Sequence, residues 1–263
     1  MRSMFRLFGR KENPAFPFAS ATVSDRGFVR RANEDSLLDR PEDGLFCVSD
    51  GMGGGEGGAL ASRWICDSFA AAMDAERTSA YELRQFALTR ALQAVNDRIR
   101  AFAREKGYRM MGATVALMLV DHANPSRAFI CHAGDSRIYR LRAGRLTPLT
   151  RDHTVGNELG RALSENAAAR AADLQSRRNP LTHILTRAVG TEMRARPDLA
   201  EIEVKRGDRF LICSDGVHDM LDDDEIAARL KAANSPSAAI GRLSAAVRNA
   251  GAADNFTMVC IFA

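Results

Sequence analysis

The sequence lacks several features that mark whole classes of protein. No apolar run approaches the ~18 residues needed to cross a bilayer, since the longest clean run, Val115–Val120, has only the length of a strand. The five cysteines are odd in number and none forms a Cys-x-x-Cys pair. This pattern disfavours a zinc site and a disulfide framework and favours a reducing cytoplasm. No transmembrane segment is predicted.

A strong excess of one charge is also missing. Lys and Arg number 37 against 33 Asp and Glu, for a formal net charge of +4. Nucleic-acid-binding domains concentrate basic residues on one face, whereas the arginines here are scattered, so no nucleic-acid partner is expected. Residues 1–18 are predicted to form a flexible basic tail, because they lack the apolar core and cleavage site of a secretory signal.

The whole chain has an ordinary globular composition, with 46% hydrophobic and 27% charged residues. No low-complexity linker divides it, so residues 19–263 are predicted to form a single domain. The stretch 153–179 is polar and rich in Ala and Arg without a firm periodicity. It is predicted to be a flap in which substrate preference resides.

Short apolar runs bounded by turn residues predict eight strands, at residues 18–23, 45–49, 113–120, 127–131, 138–141, 201–204, 210–213 and 256–262. A hairpin is predicted over 139–149. Helices are predicted over 58–73, along the face formed by Leu88, Leu92, Val95, Ile99 and Phe102, and twice after Asp222. Strands in runs, separated by helix pairs, favour an α+β antiparallel sandwich with outer helices over a doubly wound sheet.

Four aspartates stand directly at the ends of predicted strands: Asp50, Asp135, Asp215 and Asp254. Any one of them alone is explained as a turn former, because Asp-Gly is a common turn pair. Four such residues spread across the whole chain are harder to explain as turns. Strand ends are rigid, so their carboxylates can face a shared cleft.

Carboxylates packed together repel one another unless a cation lies between them. Oxygen ligands favour Mg²⁺ or Mn²⁺ over zinc or copper, and a pair of such ions promotes phosphoester hydrolysis. An arginine near the cluster would hold the phosphate by bidentate contacts. Arg30, four residues before Glu34, is the candidate, with a plain surface charge as the alternative, as for its neighbour Arg31.

Seven ordered motifs together resemble the metal-dependent Ser/Thr protein phosphatases of the 2C type, bacterial branch. They are SDRGFVRRANEDSLL, VSDGMGGGEGG, GATVALMLV, AGDSRIYRLRAGRLTPLTRDH, LTRAVGTE, DRFLICSDGVHDMLDDDEI and DNFTMVCIF. Their order and spacing match from about residue 19 to the C-terminus. The resemblance implies a four-layer αββα sandwich with metals at one end.

The resemblance also implies a role for each site residue. Asp50 would bridge two Mn²⁺ or Mg²⁺ ions, Asp215 and Asp254 would complete the first metal, and the Gly51 carbonyl would bind the second. Glu34 would reach the second metal through water and Asp35 would orient metal-bound waters. Asp135 with Asp215 would hold a weaker third ion, Arg30 would bind the phosphate, and Thr114 would support the site or simply pack.

The implied reaction is direct hydrolysis by a metal-bridging hydroxide, in which Arg30, Asp50 and Asp215 carry the catalysis and no phosphoenzyme forms. No cysteine begins a Cys-x₅-Arg loop. Met52 stands where some eukaryotic members have a proton-donating histidine, which leaves a metal-bound water or His153 as the general acid. The glycine run at 53–58 lacks the Gly-Lys-Ser/Thr of a phosphate loop and indicates a tight chain path into a helix.

The function indicated is removal of phosphate from phosphoserine and phosphothreonine in proteins, as a cytoplasmic monomer that reverses a bacterial Ser/Thr kinase. Two alternatives stay open. One is a catalytically silent binding module with the same fold, and the other is a phosphatase for small phosphoesters.

Overall fold

The computed structural model describes residues 18–54, 56–163, 172, 174–176 and 179–263. Its centre is a pair of five-stranded antiparallel sheets. The first sheet contains, in spatial order, β1 (Ala19–Asp25), β12 (Phe256–Phe262), β11 (Arg209–Cys213), β8 (Arg137–Arg142) and β9 (Arg145–Pro148). The second contains β10 (Asp198–Glu203), β7 (Arg127–Ala133), β6 (Val115–Val120), β3 (Leu45–Ser49) and β2 (Ser36–Arg40).

Shorter elements complete the architecture. A two-stranded ribbon pairs β4 (Gly51–Met52) with β5 (Gly112–Ala113). The helices are α1 (Glu56–Ala75), α2 (Tyr81–Lys106), α3 (Val155–Ala162), α4 (Asp215–His218), α5 (Asp223–Lys231) and α6 (Pro236–Asn249). Within the described residues, no helix combines the length and the apolarity that spanning a bilayer requires.

Three buried clusters hold the layers together. One lies between the two sheets and includes Phe46, Phe210 and Val259. Another packs α1 and α2 on the outer face of the second sheet, and the third packs α5 and α6 on the outer face of the first. Burial on both faces explains why the inner strands β3, β6, β11 and β12 are continuous apolar runs rather than alternating ones.

This arrangement confirms the predicted αββα sandwich. Every predicted strand is present, with ends displaced by up to three residues, and Leu88, Leu92, Val95 and Ile99 of α2 are buried as expected. The 139–149 hairpin turns at Ala143 and Gly144, which both adopt positive φ. Strand β2 was not predicted, because its residues are only half-buried and form no apolar run.

Almost all of the predicted tail, and part of the predicted flap, fall outside the described residues. Of residues 1–18 only Phe18 is described, and its side chain is buried in the cluster between the sheets. Within 153–179, helix α3 is described and begins at the N-cap Thr154, whose hydroxyl accepts the Asn157 N–H. Residues 164–171, 173 and 177–178 lie outside the described part of the chain.

Candidate active site

The ends of the central strands meet in one open pocket of about 430 Å³. Asp50 follows β3, Asp135 lies between β7 and β8, Asp215 begins α4 directly after β11, and Asp254 precedes β12. Eight of the nine predicted site residues line this pocket: Arg30, Glu34, Asp50, Gly51, Thr114, Asp135, Asp215 and Asp254. The sandwich topology therefore brings together carboxylates that lie up to 220 positions apart in the sequence, from Glu34 to Asp254.

Asp35 is the exception, because it lies buried behind the pocket wall. One of its carboxylate oxygens, Oδ2, accepts a 2.8 Å hydrogen bond from the Ser214 hydroxyl, whereas Oδ1 is buried with no hydrogen-bond partner in the structure. Burial raises the pKa of Asp35 to about 7. Ser214 also accepts the Thr257 N–H at 3.0 Å, which fixes the end of β11 against β12.

Thr114 holds Asp50 from the neighbouring strand. Its hydroxyl accepts the Asp50 N–H at 2.9 Å and hydrogen-bonds the Ser136 hydroxyl at 2.7 Å. Its own N–H donates to the Asp50 carbonyl at 2.8 Å. Thr114 is buried, so these bonds are shielded from water. The geometry is that of a supporting residue, in agreement with the expectation from sequence.

Asn255 organises the other side of the pocket. Its side-chain oxygen accepts the Glu34 N–H at 2.9 Å, and its amide donates to the carbonyls of Arg26 and Ala32, both at 2.9 Å. This one side chain therefore ties the loop carrying Arg30 and Glu34 to the start of β12. Sequence reasoning missed it, although its place directly after Asp254 was a usable signal.

Arg30 stands at the pocket mouth with 55% of its side chain exposed. Its guanidinium donates to Asp254 Oδ2 at 2.5 Å, and this bond is the main reason that the Arg30 pKa is raised. The group therefore stays charged and remains accessible to an incoming anion. The alternative of a plain surface charge does not account for its place on the pocket wall.

Glycines allow the chain to pass close to the carboxylates. A Cβ on Gly58 would lie 2.0 Å from Glu34 Oε2, and one on Gly51 would lie 2.3 Å from the Gly58 carbonyl oxygen. Gly53 has φ +120°, a conformation that side chains rarely adopt. The glycine run is thus the tight path into α1 that the sequence indicates.

The pocket disfavours the ionised form of its aspartate side chains when no cation is beside them. Burial, followed by the charges of neighbouring carboxylates, raises the pKa of Asp50 and Asp135 well above their usual range. Burial also raises the pKa of Asp215, whose Oδ1 is buried without a hydrogen-bond partner. Such groups ionise readily only when a cation compensates them.

These observations fit bound divalent cations. The donors are carboxylates and a glycine carbonyl, which are the hard oxygen ligands that Mg²⁺ and Mn²⁺ prefer. Among the described residues, no three His, Cys, Asp or Glu side chains converge as a ready-made metal cage. An ion here would complete its coordination with water, as Mg²⁺ commonly does.

His153, one candidate for the general acid, does not line the pocket. It is buried, and its Nδ1 accepts the Gly134 N–H at 3.2 Å while its backbone N–H donates to the Gly134 carbonyl at 2.8 Å. Its Nε2 lies 3.1 Å from Asp198 Oδ2. The general-acid assignment is therefore wrong, since the ring is committed to holding the loop before Asp135.

Two histidines that the sequence did not single out lie closer to the chemistry. His183 lines the pocket wall, and His218 donates from Nε2 to the Asp135 carbonyl at 3.1 Å. Asp219 lies between them, 3.5 Å from a ring nitrogen of each. His218 is placed by α4 and His183 by the 3₁₀ helix Pro180–His183, two short elements that no local pattern in the sequence reveals.

A comparison with protein-family models matches residues 30–248 to the model described as "Protein phosphatase 2C". This match covers most of the chain. The chain belongs to the protein phosphatase 2C family. The resemblance seen in the motifs and the fold expected from it are both confirmed.

Among curated relatives of this family, the serine/threonine protein phosphatase PstP of Mycobacterium tuberculosis is 33% identical over 243 residues, which cover 91% of this chain. The chain spans only 44% of PstP's length. PhpP of Streptococcus pneumoniae is 28% identical over 91% of this chain and 95% of its own length. These named relatives bear out the predicted enzyme class.

Solved structures of similar proteins agree with this family assignment. PppA, described as a key regulatory component of the T6SS in Pseudomonas aeruginosa, has a TM-score of 0.81 and 34% identity, covering 93% of this chain and 97% of its own. The catalytic domain of PstP in complex with two manganese ions has a TM-score of 0.76 and 31% identity, covering 93% and 97%. The second structure supports the two-ion prediction for this 2C-type phosphatase.

Proposed function

We propose that this chain is a metal-dependent phosphatase that hydrolyses phosphoserine and phosphothreonine in proteins. The observation that carries the proposal is the pocket itself, which is lined by five carboxylates, a glycine and an exposed arginine. Carboxylates alone would repel a phosphate dianion. With divalent cations between them, the same floor attracts it, and Arg30 adds a positive group at the mouth.

Each residue of the pocket has a proposed part. Asp50 would hold both of two ions, Asp215 and Asp254 would complete the ligands of the first, and the Gly51 carbonyl and, through water, Glu34 would serve the second. Asp135 with Asp215 would hold a weaker third ion, and Asp35 would orient waters from behind the pocket wall. The Oδ1 atoms of Asp35 and Asp215 support these assignments, because each is a buried acceptor without a hydrogen-bond partner in the structure.

When bound, the ions supply an activated water and neutralise charge on the phosphoryl oxygens. The chain's own residues fix the geometry. Arg30 binds two phosphate oxygens through its planar guanidinium. Thr114 and Asn255 hold the backbones of Asp50 and Glu34 by the hydrogen bonds described above. A site held in this way needs little reorganisation when the phosphorylated side chain arrives.

A covalent cysteine mechanism finds no support. All five cysteines are free and buried, and none lines the pocket. Burial raises the pKa of Cys213, the nearest in sequence to Asp215, to about 12. Because the thiolate is the nucleophilic form, such a thiol is inert at neutral pH. Direct hydrolysis is therefore the proposed course.

PstP, named as a serine/threonine protein phosphatase, and PhpP, named as a protein phosphatase, support protein substrates carrying phosphoserine or phosphothreonine. Such a reaction requires a kinase that phosphorylates the same proteins, and we place this opposing pair in the cytoplasm. Buried free thiols at all five cysteines support a reducing compartment.

The experiment that tests the substrate class compares a phosphothreonine peptide with a nucleoside monophosphate at equal concentration and with saturating Mn²⁺. We expect kcat/KM for the peptide to be at least about tenfold higher, a difference of about 1.4 kcal/mol in transition-state binding. Equal or better hydrolysis of the nucleotide would instead assign the chain to small phosphoesters.

A further inference from the structure

The rim of the active-site pocket carries exposed apolar side chains above a charged floor. Met110 and Ile184 both line the pocket, and 55% and 50% of their surfaces are exposed. Single exposed apolar residues are ordinary on protein surfaces. Two that border the same charged pocket are a reason to look for a ligand with both a charged and an apolar part.

Both residues are held in place by backbone contacts. The Met110 carbonyl oxygen packs against Gly53, where a Cβ would lie only 2.3 Å away, so Met110 is fixed beside the loop that follows the metal site. The Ile184 carbonyl accepts the Val155 N–H at 2.9 Å, and the next residue, Leu185, forms a bridge with Thr154. Neither residue stands on a free loop tip.

We propose that Met110 and Ile184 are specificity-determining residues that bind apolar side chains flanking the phosphorylated residue of an extended peptide. This inference rests on the proposed function. Successive side chains of an extended chain point to opposite faces at about 3.3 Å per residue. When the phosphorylated side chain points to the pocket floor, the side chains two positions before and after it point to the same surface.

The spacing along an extended chain sets this register. Two residues span about 7 Å, so the side chains at −2 and +2 lie about 13 Å apart, on either side of the mouth of a pocket of about 430 Å³. Side chains at positions −2 and +2 therefore reach the rim while the phosphate reaches the floor. Side chains at −1 and +1 point away from the protein. An aryl phosphate or a mononucleotide has no group that extends to both rim residues.

The test uses three phosphothreonine peptides of equal length and charge. One has Ala at every flanking position, one has Leu at −2 and +2, and one has Leu at −1 and +1. Phosphate release is measured with Mn²⁺ for the wild type, for Met110→Ser and Ile184→Ser singly, and for both together. The readout is the ratio of kcat/KM for each Leu peptide to that for the Ala peptide on the same preparation.

Because each ratio comes from a single preparation, it does not depend on how much of a variant is folded or loaded with metal. Met193→Ser and Leu83→Ser are the matched controls, since those residues are 78% and 54% exposed but lie outside the pocket lining. We expect the wild type and both controls to prefer Leu at −2 and +2 by about tenfold, mainly through KM. The double variant should lower this ratio to about one.

Two results would overturn the proposal: an unchanged ratio in the double variant, or a stronger preference for Leu at −1 and +1. A third result, no phosphate release from any peptide by the wild type with Mn²⁺ present, would contradict the proposed function itself. That failure is distinguishable, because no ratio can then be measured.

Discussion

Single residues behind the carboxylates set the geometry of the proposed metal site. Asp50 is held through its backbone by Thr114, and Asp35 through its carboxylate by Ser214. Asn255 does the same for the backbone of Glu34. Outer partners of this kind orient the groups that bind a metal and are costly to lose.

Thr114 offers a direct test at this scale. Thr114→Val keeps the shape but removes the acceptor of the Asp50 N–H, whereas Thr114→Ser keeps the hydroxyl. We expect Thr114→Val to lower kcat by about 10- to 100-fold and to destabilise the fold by about 1–3 kcal/mol. Thr114→Ser should stay within about threefold of the wild type. Equal activities for the two variants, measured with Mn²⁺, would mean that the Thr114 hydroxyl does not support the site and that Thr114 only packs.

The sequence predicts the acidic residues of the site well and their partners poorly. Asp50, Asp135, Asp215 and Asp254 are identifiable because a carboxylate ending an apolar strand is conspicuous. A partner such as Ser214 or Asn255 has no comparable pattern, since its role depends on a strand that pairs across the sheet. For His153 the sequence suggested a role in the site that the structure does not support. The position of a histidine near a motif gives no information about the direction in which its ring points.

At the scale of elements, the N-terminal turns of helix α1 are shaped by their glycines. Gly58 lets the Glu34 carboxylate and the Gly51 backbone approach the helix. A Cβ on its neighbour Gly57 would meet the Met111 and Tyr108 side chains at 3.6–3.8 Å, which is ordinary van der Waals contact. Two adjacent glycines on one helix therefore have different structural requirements. Only one of them touches the metal site.

Alanine substitutions at these two glycines distinguish an effect on phosphatase activity from an effect on helix stability. Gly57→Ala should raise the free energy of unfolding by about 0.5–1 kcal/mol, because alanine favours the helix, and leave phosphatase activity unchanged. Gly58→Ala has the same propensity gain, but its Cβ displaces Glu34, so we expect activity at low Mn²⁺ to fall at least about tenfold. Full activity in Gly58→Ala would mean that Glu34 has no part in metal binding.

Four inner strands were predictable because both of their faces are buried, which makes them continuous apolar runs: β3, β6, β11 and β12. Strand β2 was not predictable, because it is an edge strand with half-buried residues. Helix α2 was identified by its buried face of Leu88, Leu92, Val95 and Ile99. The ribbon of β4 and β5 has two residues in each strand, too few for any periodicity.

For the molecule as a whole, folding two sheets together concentrates carboxylates at one end. Burial raises the pKa of Asp35 to about 7 and raises those of Asp50, Asp135 and Asp215. In each case the folded state binds protons more tightly than the unfolded chain. The stability linked to these protons is full below the unfolded pKa of about 4 and is lost as pH rises through the folded values.

This linkage gives a prediction for the metal-free protein. In EDTA, the melting temperature should fall as pH rises from about 5 to about 8. Added Mn²⁺ should raise the melting temperature, most at the higher pH, because the cations replace the protons. Asp215→Asn should weaken the pH dependence in EDTA. A melting temperature that does not change with pH in EDTA, or a pH slope that Mn²⁺ leaves unaltered, would contradict the picture of a carboxylate cluster that requires cations.

The central claim concerns the whole pocket, and its most direct test is hydrolysis of p-nitrophenyl phosphate with Mn²⁺, with EDTA, and by the Asp215→Asn variant with Mn²⁺. We predict turnover that requires Mn²⁺, is abolished by EDTA, and falls at least about a hundredfold in Asp215→Asn, whose fold is checked by circular dichroism. No turnover by folded wild type with Mn²⁺ would instead indicate a catalytically silent binding module. Undiminished turnover by Asp215→Asn would remove the site assignment.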